Sequence, residues 1–217
     1  MKKKVLFYDL DGTIVDTRQD ITDAANHMVR SMGGKPLSPK QIESFVGHGL
    51  QYLIQGCLQT DDPKRLEKGS KIYRQHYAAH MLDHTVLYDG VAATLEYFQN
   101  RTQAVITNKP DPFSKDILRQ LGVAAYFSAI ITGNGTYPHK PDPASVLSIL
   151  QTYRAKPEEA IFIGDSAIDI QTARNAGIEV GVLAHGFTPA GELQKAGADY
   201  FWQDFHQFLK EAKEQQW

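Results

Sequence analysis

The amino-acid sequence predicts an α/β protein, with a doubly wound, Rossmann-like parallel sheet and a small helical domain inserted after the first strand. Short apolar runs without polar alternation recur along the chain, and such runs are typical of strands buried on both faces of a parallel sheet. Segments with helix signals lie between the runs, and this alternation indicates a doubly wound sheet. The interval after the first run carries helical periodicity only, which predicts the insert.

Six apolar runs are the candidate strands. Five are clear and the last is weaker: residues 5–8, 104–107, 129–132, 160–163, 180–183 and 200–202. Pro157, followed by Glu158 and Glu159, predicts a short helical turn that leads into the fourth run. Gly122 and Gly177 stand where helices should end, since glycine tolerates the left-handed conformation at a helix C-terminus.

The long interval between the first two runs predicts a helical insert. Apolar residues recur there at helical spacing, first at Ile21, Ala24, Ala25, Met28, Val29 and Met32, then over Leu50–Leu58, and more weakly over residues 66–81. We therefore expect a core domain of residues 1–16 and 85–217 and a cap domain of residues 17–84. Because active sites of open α/β sheets lie beyond the carboxyl ends of the strands, this cap would cover the site as a lid.

Composition and charge argue against some classes of function. The chain has 217 residues and a formal net charge of −2, which gives no bulk electrostatic reason to expect binding to nucleic acid or to an anionic membrane. No stretch approaches the roughly 20 apolar residues of a membrane span. The single cysteine, Cys57, cannot form an internal disulfide, so we expect a reducing, cytoplasmic location. Both a monomer and a homodimer are compatible with the sequence.

Acidic side chains directly follow two of the candidate strands. Asp9 and Asp11 come after the first run, where extended geometry points both carboxylates the same way and Gly12 permits a tight turn. Asp165 and Asp169 come after the fourth run. An Asp-Gly turn and a helix N-cap are the structural alternatives for the two pairs. If the two strands are neighbours, four carboxylates meet at one point and need a cation, and the hard, oxygen-seeking Mg2+ is the expected one.

Two further segments carry groups that bind phosphate. Thr107 and Asn108 follow the second run, where a hydroxyl and exposed backbone N–H groups would bind phosphate oxygens; a helix-capping strand end is the alternative. Lys140 precedes a helix start marked by proline, and a solvent-exposed loop lysine is the alternative there. The ordered set of carboxylates, threonine, lysine and carboxylates is far more specific than any one member.

Together these segments resemble the four motifs of the haloacid dehalogenase-like phosphatase superfamily. Residues 9–13 are similar to the first motif, Thr107 to the second, Lys140 to the third and residues 164–169 to the fourth. The insert resembles the family's small helical cap, and the resemblance covers essentially the whole chain. It implies a Mg2+-dependent hydrolase that acts on a small-molecule phosphate ester and forms an aspartyl-phosphate.

The resemblance implies a role for each acidic residue. Asp9 would be the nucleophile, and Asp11 would be the general acid and then the general base. Mg2+ would bind the Asp9 carboxylate, the Asp11 backbone carbonyl and Asp165. Asp169 would lie behind these ligands and orient Lys140 or a metal-bound water.

The resemblance assigns the phosphoryl oxygens to a second set of groups. The Thr107 hydroxyl, the Asn108 backbone and the Lys140 ammonium would neutralise and hold these oxygens. In phosphoryl transfer, positioning charged and polar groups around the phosphoryl oxygens lowers the activation barrier more than covalent chemistry by the protein does.

Within the superfamily the sequence is most similar to phosphoglycolate phosphatases, in residues 15–21, 45–50 and 196–200. Pyrophosphatases and broad sugar-phosphate phosphatases have similar sequences. Residues 133–139 lack the acidic pair expected before the lysine, and this departure bears on the substrate more than on the chemistry. We therefore predict a phosphoglycolate phosphatase, with those two activities as alternatives.

Three other readings are weaker. A phosphomutase similar to β-phosphoglucomutase would carry a histidine about where Ile21 stands. A dehalogenase would not need Asp11, because a departing halide needs no proton. A non-catalytic phospho-acceptor module would have no use for the helical insert or for the turn at Gly12.

The segment Gly47, His48 and Gly49 is the part of the lid expected to touch the substrate. Its glycines allow close backbone approach, and His48 would donate to an anionic group such as a carboxylate. An ordinary turn between helices with a solvent-facing histidine is the alternative. The lid interpretation predicts that short anionic esters are preferred to nucleotides and phosphoproteins.

Overall fold

The computed structural model of the protein describes residues 2–217, and Met1, the first residue of the expected core domain, lies outside them. Strands and helices alternate from residue 86 onward, and before that point two strands are followed by four successive helices. In order they are β1 (Val5–Tyr8), β2 (Val15–Asp16), α1 (Arg18–Ser31), α2 (Pro39–Glu43), α3 (Leu50–Leu58), α4 (Pro63–His80), β3 (Val86–Leu87), α5 (Val91–Tyr97), β4 (Thr102–Ile106), α6 (Phe113–Gln120), β5 (Ala129–Ile131), α7 (Ala144–Thr152), β6 (Ala160–Gly164), α8 (Ala167–Ala176), β7 (Glu179–Leu183), α9 (Ala190–Leu193), β8 (Tyr200–Trp202) and α10 (Phe205–Glu214).

The main sheet has six parallel strands in the order β5-β4-β1-β6-β7-β8. Each of the six apolar runs forms one of these strands. Within β1, Val5 pairs with Thr102 of β4 on one side and with Ala160 of β6 on the other. The chain therefore winds outward from β1 in both directions, and the predicted doubly wound, Rossmann-like fold is confirmed.

The central strands send alternate side chains into two hydrophobic cores, one on each face of the sheet. In β1, Leu6 and Tyr8 enter the core that contains apolar residues of α5, α6 and α10. Val5 and Phe7 enter the core that contains apolar residues of α7 and α8. Because helices cover both faces, these strands need no polar alternation, which explains why they read as continuous apolar runs.

Helices α1–α4 fill the interval between β2 and β3, and we call them the helical insert. Helix α1 packs along α4, and Met28, Ile54 and Tyr73 are buried between the helices. The short strands β2 and β3 pair antiparallel where the insert joins the rest of the protein. All four helices fall within residues 17–84, the expected cap domain, whose boundaries remain a prediction.

Cys57 lies buried within the helical insert, where it is a free cysteine. Burial raises the pKa of its thiol to about 12, so the thiol stays protonated at neutral pH and is a poor nucleophile. Over residues 2–217, no helix combines the length and the apolar character that crossing a membrane requires.

Candidate active site

The residues singled out in the sequence meet at the carboxyl edge of the sheet because β1 lies between β4 and β6. Asp9 and Asp11 follow β1, Thr107 follows β4, and Asp165 follows β6. Lys140 reaches the same place from the loop before α7. The neighbouring strands that the sequence analysis required are therefore present.

Lys140 lies between two of the acids. Its Nζ is 2.8 Å from Oδ1 of Asp9 and 2.7 Å from Oδ1 of Asp169, and all three side chains are buried. The Asn108 side chain fixes the Lys140 backbone, since its Oδ1 accepts from Lys140 N at 2.8 Å and its Nδ2 donates to Lys140 O at 3.1 Å. Lys140 is thus a held, buried cation and not a solvent-exposed loop lysine.

Asp165 is held from two sides. Its Oδ1 accepts from the Thr13 hydroxyl at 2.8 Å, and its Oδ2 accepts from the Phe187 N–H at 2.8 Å. Gly12 and Gly186 line the carboxyl group so closely that a Cβ on either would clash with it, and Gly12 has φ +81°. The Gly12 turn therefore makes room for the acid as well as reversing the chain.

Asp169 combines two roles, because it caps a helix and also pairs with Lys140. Ser166 is the N-cap of α8, and Asp169 completes a capping box with it. Its Oδ2 accepts from the Ser166 hydroxyl at 2.6 Å and from the Asp165 N–H at 3.2 Å, while its Oδ1 faces Lys140. Because both oxygens have partners, Asp169 suits orienting Lys140 better than binding a metal.

The acids form a site whose charge fits a divalent cation. Oxygens of Asp9, Asp165 and Asp169 lie within 4.8 Å of one another. Together with the Lys140 ammonium they leave a formal charge of −2 in a buried place, which is unfavourable without a counter-ion. Oxygen ligands and this charge match Mg2+.

Burial and the neighbouring charges shift the pKa values of these groups. Burial, followed by the neighbouring carboxylates, raises the pKa of Asp165 to about 8. Burial also raises the pKa of Asp9 to about 7, although Lys140 opposes the shift. Burial alone would lower the pKa of Lys140, but Asp169 and Asp9 outweigh it and hold that pKa above its usual value.

Asp11 lies beside this cluster and not within it. Its Oδ1 accepts from the Thr17 hydroxyl at 2.7 Å and from Lys109 Nζ at 2.8 Å. No N–H of the described residues donates to its backbone carbonyl, so this oxygen is available to a cation, as the resemblance requires. The Asp11 side chain is available for a different task.

Thr107 and Asn108 line the same cavity as Asp9, and each has a donor without a partner among the described residues there. The Thr107 Oγ1 accepts from Lys109 N at 3.1 Å, which leaves its hydroxyl proton free to donate. Within residues 2–217 the Asn108 N–H has no acceptor. The Asn108 Nδ2 also donates to Gly47 O at 2.9 Å, so one side chain joins the phosphate-binding segment to the helical insert.

Lys109 is the residue that the sequence analysis missed. Its Nζ donates to Asp11 and, at 2.8 Å, to the Tyr77 hydroxyl of α4. The two-residue spacing from Thr107 was an available signal, because side chains at i and i+2 of extended chain lie on the same side.

A cavity of about 50 Å³ lies between the acids and the helical insert. Apolar side chains form most of its wall: Ile21, Val46, Leu50, Leu53, Tyr73 and Phe113. Asp9, Asp11, Thr107 and Lys109 line its floor. A group bound at Asp9 would therefore project into an apolar space of limited size.

The three residues of the predicted lid segment have different surroundings. Gly47 and Gly49 line the cavity and have φ values of +100° and +95°, which favour glycine. His48 is exposed, and its ring lies 4.5 Å from that of Tyr52. It lines a second, larger groove that also reaches Asp9 and Asp165. The structure thus brings the two glycines, but not His48, to the cavity wall.

The chain is similar to known proteins in both sequence and structure. The family model for haloacid dehalogenase-like hydrolases matches residues 5–183. The phosphoglycolate phosphatase of Chromobacterium violaceum is 34% identical over 203 residues, covering 90% of each chain. That of Vibrio parahaemolyticus is 32% identical over 208 residues, covering 91% of this chain and 90% of its own.

Solved structures agree with these matches. A crystal structure described as a predicted phosphoglycolate phosphatase from Haemophilus somnus has a TM-score of 0.91 and 26% identity, covering 97% of this chain and 98% of its own. A haloacid dehalogenase-like hydrolase from Streptococcus pneumoniae has a TM-score of 0.86 and 27% identity, covering 96% and 97%. Both similarities extend over the sheet and the helical insert together.

Proposed function

Because the chain belongs to the haloacid dehalogenase-like hydrolases, we propose that it is a phosphatase that hydrolyses phosphoglycolate with Asp9 as nucleophile. One observation carries the proposal. The buried Asp9 carboxylate lies against Lys140 at 2.8 Å, beside Asp165 and at the floor of the cavity. Relatives that cover most of the chain are named phosphoglycolate phosphatases, which supports this substrate.

The reaction has two steps. In the first, an Asp9 oxygen bonds to phosphorus, the bond from phosphorus to the ester oxygen breaks, and Asp11 gives its proton to the departing alcohol. In the second, Asp11 takes a proton from water, the water oxygen bonds to phosphorus, and the Asp9 carboxylate departs. Ester and water have then become alcohol and inorganic phosphate, and both acids are restored.

The proposed cation site consists of the Asp9 and Asp165 carboxylates and the Asp11 carbonyl. When bound there, Mg2+ supplies positive charge that offsets the negative charge of the phosphoryl group and the acids. Hydrogen bonds from Thr13 and Phe187 hold Asp165 in its orientation.

The proposed phosphate site consists of the Thr107 hydroxyl, the Asn108 N–H and the Lys140 ammonium. Asp169 positions Lys140 through the 2.7 Å ion pair. Such donors act strongly because they are fixed before the substrate arrives and lie in a place from which water is excluded.

Lys140→Ala should lower kcat/KM by on the order of 10³-fold, and Thr107→Ala by on the order of 10-fold, since only the first removes a full charge from a buried site. Lys140→Arg should restore little activity, because a planar guanidinium replaces a compact ammonium. Steady-state kinetics with Mg2+ measures all three. Comparable activity of wild type and Lys140→Ala would remove Lys140 from the phosphate site.

We propose that residues 17–84 are a cap domain that acts as a lid on this reaction. The contact of Asn108 with Gly47 and that of Lys109 with Tyr77 join the insert to the site. A lid of this kind excludes water while the phosphoryl group is transferred. We further propose a cytoplasmic enzyme with a small-molecule substrate, in keeping with the unpaired, buried Cys57.

A panel of phosphate esters with Mg2+ tests the proposed function. We expect kcat/KM for phosphoglycolate to exceed that for sugar phosphates, pyrophosphate and nucleotides, because the apolar cavity admits only a small leaving group. A neutral aryl phosphate serves as a control for the chemistry alone. A preference for pyrophosphate or a sugar phosphate would show that phosphoglycolate is not the best substrate. Failure to release phosphate from any ester would contradict the proposed phosphatase activity.

A further inference from the structure

Lys109 is a buried cation for which the proposed chemistry has no use. Its Nζ donates to Oδ1 of Asp11 and to the Tyr77 hydroxyl, both at 2.8 Å, and lies 4.6 Å from the centre of the Tyr77 ring. An ammonium has three N–H donors, and within residues 2–217 the third has no acceptor. Lys109 therefore keeps one donor for a bound group.

The surroundings of the free Lys109 donor in the cavity indicate what it could bind. Lys109 is the one cation among the residues that line the cavity, whose upper wall is largely apolar. Charged groups placed in such surroundings interact strongly, because little water screens them. Lys109 is thus the only positively charged partner among the described lining residues for a leaving group with its own negative charge.

We propose that Lys109 binds the carboxylate of the leaving group and thereby selects esters of short hydroxy acids. This inference rests on the proposed function and names the residue that sets its specificity. Lys109 lines the same cavity as Asp9 and Thr107, and its Nζ lies 2.8 Å from Oδ1 of Asp11, so this cation borders the proposed phosphate site. In phosphoglycolate a single carbon separates the ester oxygen from the carboxyl group, which matches two adjacent binding sites.

The ion pair with Asp11 is compatible with this role. Asp11 and Tyr77 occupy two of the three N–H donors of the Lys109 ammonium, so a substrate carboxylate can bind the third while the ion pair persists. A neutral leaving group of the same size would give this buried ammonium a weaker partner, which is less favourable.

His48 is the competing carboxylate-binding residue, and the structure favours Lys109 over it. His48 is exposed beside Tyr52 and does not line the cavity. Lys109 is buried and lies on the cavity floor beside Asp11 and Thr107. The two candidates can be separated with a pair of matched substrates, because only the variant that lacks the carboxylate-binding residue should lose the preference for the charged ester.

The test compares 2-phosphoglycolate with 2-hydroxyethyl phosphate, in which a neutral hydroxymethyl group replaces the carboxylate. Wild type, Lys109→Met and His48→Ala are assayed for kcat and KM separately. We expect Lys109→Met to lower the preference for phosphoglycolate by on the order of 30-fold, mainly through KM, because it removes one partner of a buried charge pair. His48→Ala should change the preference by less than about 3-fold, as expected of an exposed side chain.

Binding to catalytically inactive protein provides a second readout. In an Asp9→Asn background, calorimetry should show that Lys109→Met weakens binding of phosphoglycolate and not of hydroxyethyl phosphate. Lys109→Gln can still donate a hydrogen bond to Asp11 but carries no charge, and it should behave as Lys109→Met does. This second variant keeps the test decisive if the methionine variant does not fold.

The outcomes separate this inference from the proposed function. Equal losses on both esters through kcat would show that Lys109 only positions Asp11 and would overturn the inference. Loss of the preference in His48→Ala, or a wild type that hydrolyses both esters equally well, would overturn it too. A wild type that hydrolyses neither ester nor any other phosphate would overturn the phosphatase itself.

Discussion

Asp9→Asn should lower kcat by about 10⁴-fold or more, equivalent to about 5 kcal/mol of activation free energy. Asparagine keeps the shape of the side chain, but its amide is a poor nucleophile toward phosphorus. The protein should stay folded, because the change removes one of three crowded carboxylates. Its melting temperature should equal or exceed that of the metal-free wild type, since burial already disfavours the charged form of Asp9.

A matched control separates the site from a general effect of losing an acid. Asp23→Asn makes the same change at an exposed position of α1, where the Asp23 carboxylate accepts a hydrogen bond from the Gln19 side chain at 2.9 Å. It should keep wild-type kcat. Phosphatase activity of Asp9→Asn above about a hundredth of wild type would remove Asp9 from the role of nucleophile.

Chelation of divalent cations should abolish turnover, and Mg2+ should restore it. The buried charge of −2 formed by the three acids and Lys140 needs a cation. Ca2+ should bind but support little turnover, because its longer and more variable coordination misplaces the nucleophile. Full activity after exhaustive chelation would contradict the metal assignment.

Thermal unfolding tests the same site without turnover. With Mg2+ at about 100 times its Kd, binding stabilises the folded state by about 2.7 kcal/mol, which for a chain of this size raises Tm by about 5–10 °C. Asp165→Asn should lose most of this rise. A circular dichroism spectrum of the chelated protein checks that it remains folded.

The rise in Tm should grow with pH. Without metal, the folded-state pKa values of Asp9 and Asp165 are raised to about 7 and about 8. The folded protein then binds more protons than the unfolded chain, so the contribution of these two groups to stability falls as the pH rises from about 4 to about 8. Mg2+ competes with those protons, and its effect should be larger at about pH 8 than at about pH 5.5. A rise that is independent of pH would contradict the assignment of these ligands.

Local sequence was sufficient to predict the strands of the main sheet and the functional residues that directly follow them. Val5–Tyr8 and Ala160–Gly164 are continuous apolar runs because helices cover both faces of the sheet. The convergence of Asp9 with Asp165 depended on β1 and β6 being neighbours, which the doubly wound order produced.

Other features depend on contacts between residues far apart in the chain. Strands β2 and β3 have two residues each, too few to show any periodicity. The buried position of Lys109 depends on Tyr77, 32 positions earlier in the chain, whose hydroxyl accepts from the Lys109 Nζ. The exposure of His48 and the joint capping and ion-pairing role of Asp169 likewise follow from packing around them.

Chemical trapping of the phosphorylated enzyme tests the role of Asp9 most directly. Sodium borohydride reduces an acyl phosphate to an alcohol, so a phosphorylated aspartate becomes homoserine while free carboxylates are unchanged. During turnover of phosphoglycolate with Mg2+, peptide mass spectrometry should find homoserine at position 9, and none when the chelated protein is treated in the same way. Homoserine at another aspartate, or an unmodified Asp9 while phosphate is being released, would contradict a mechanism through Asp9.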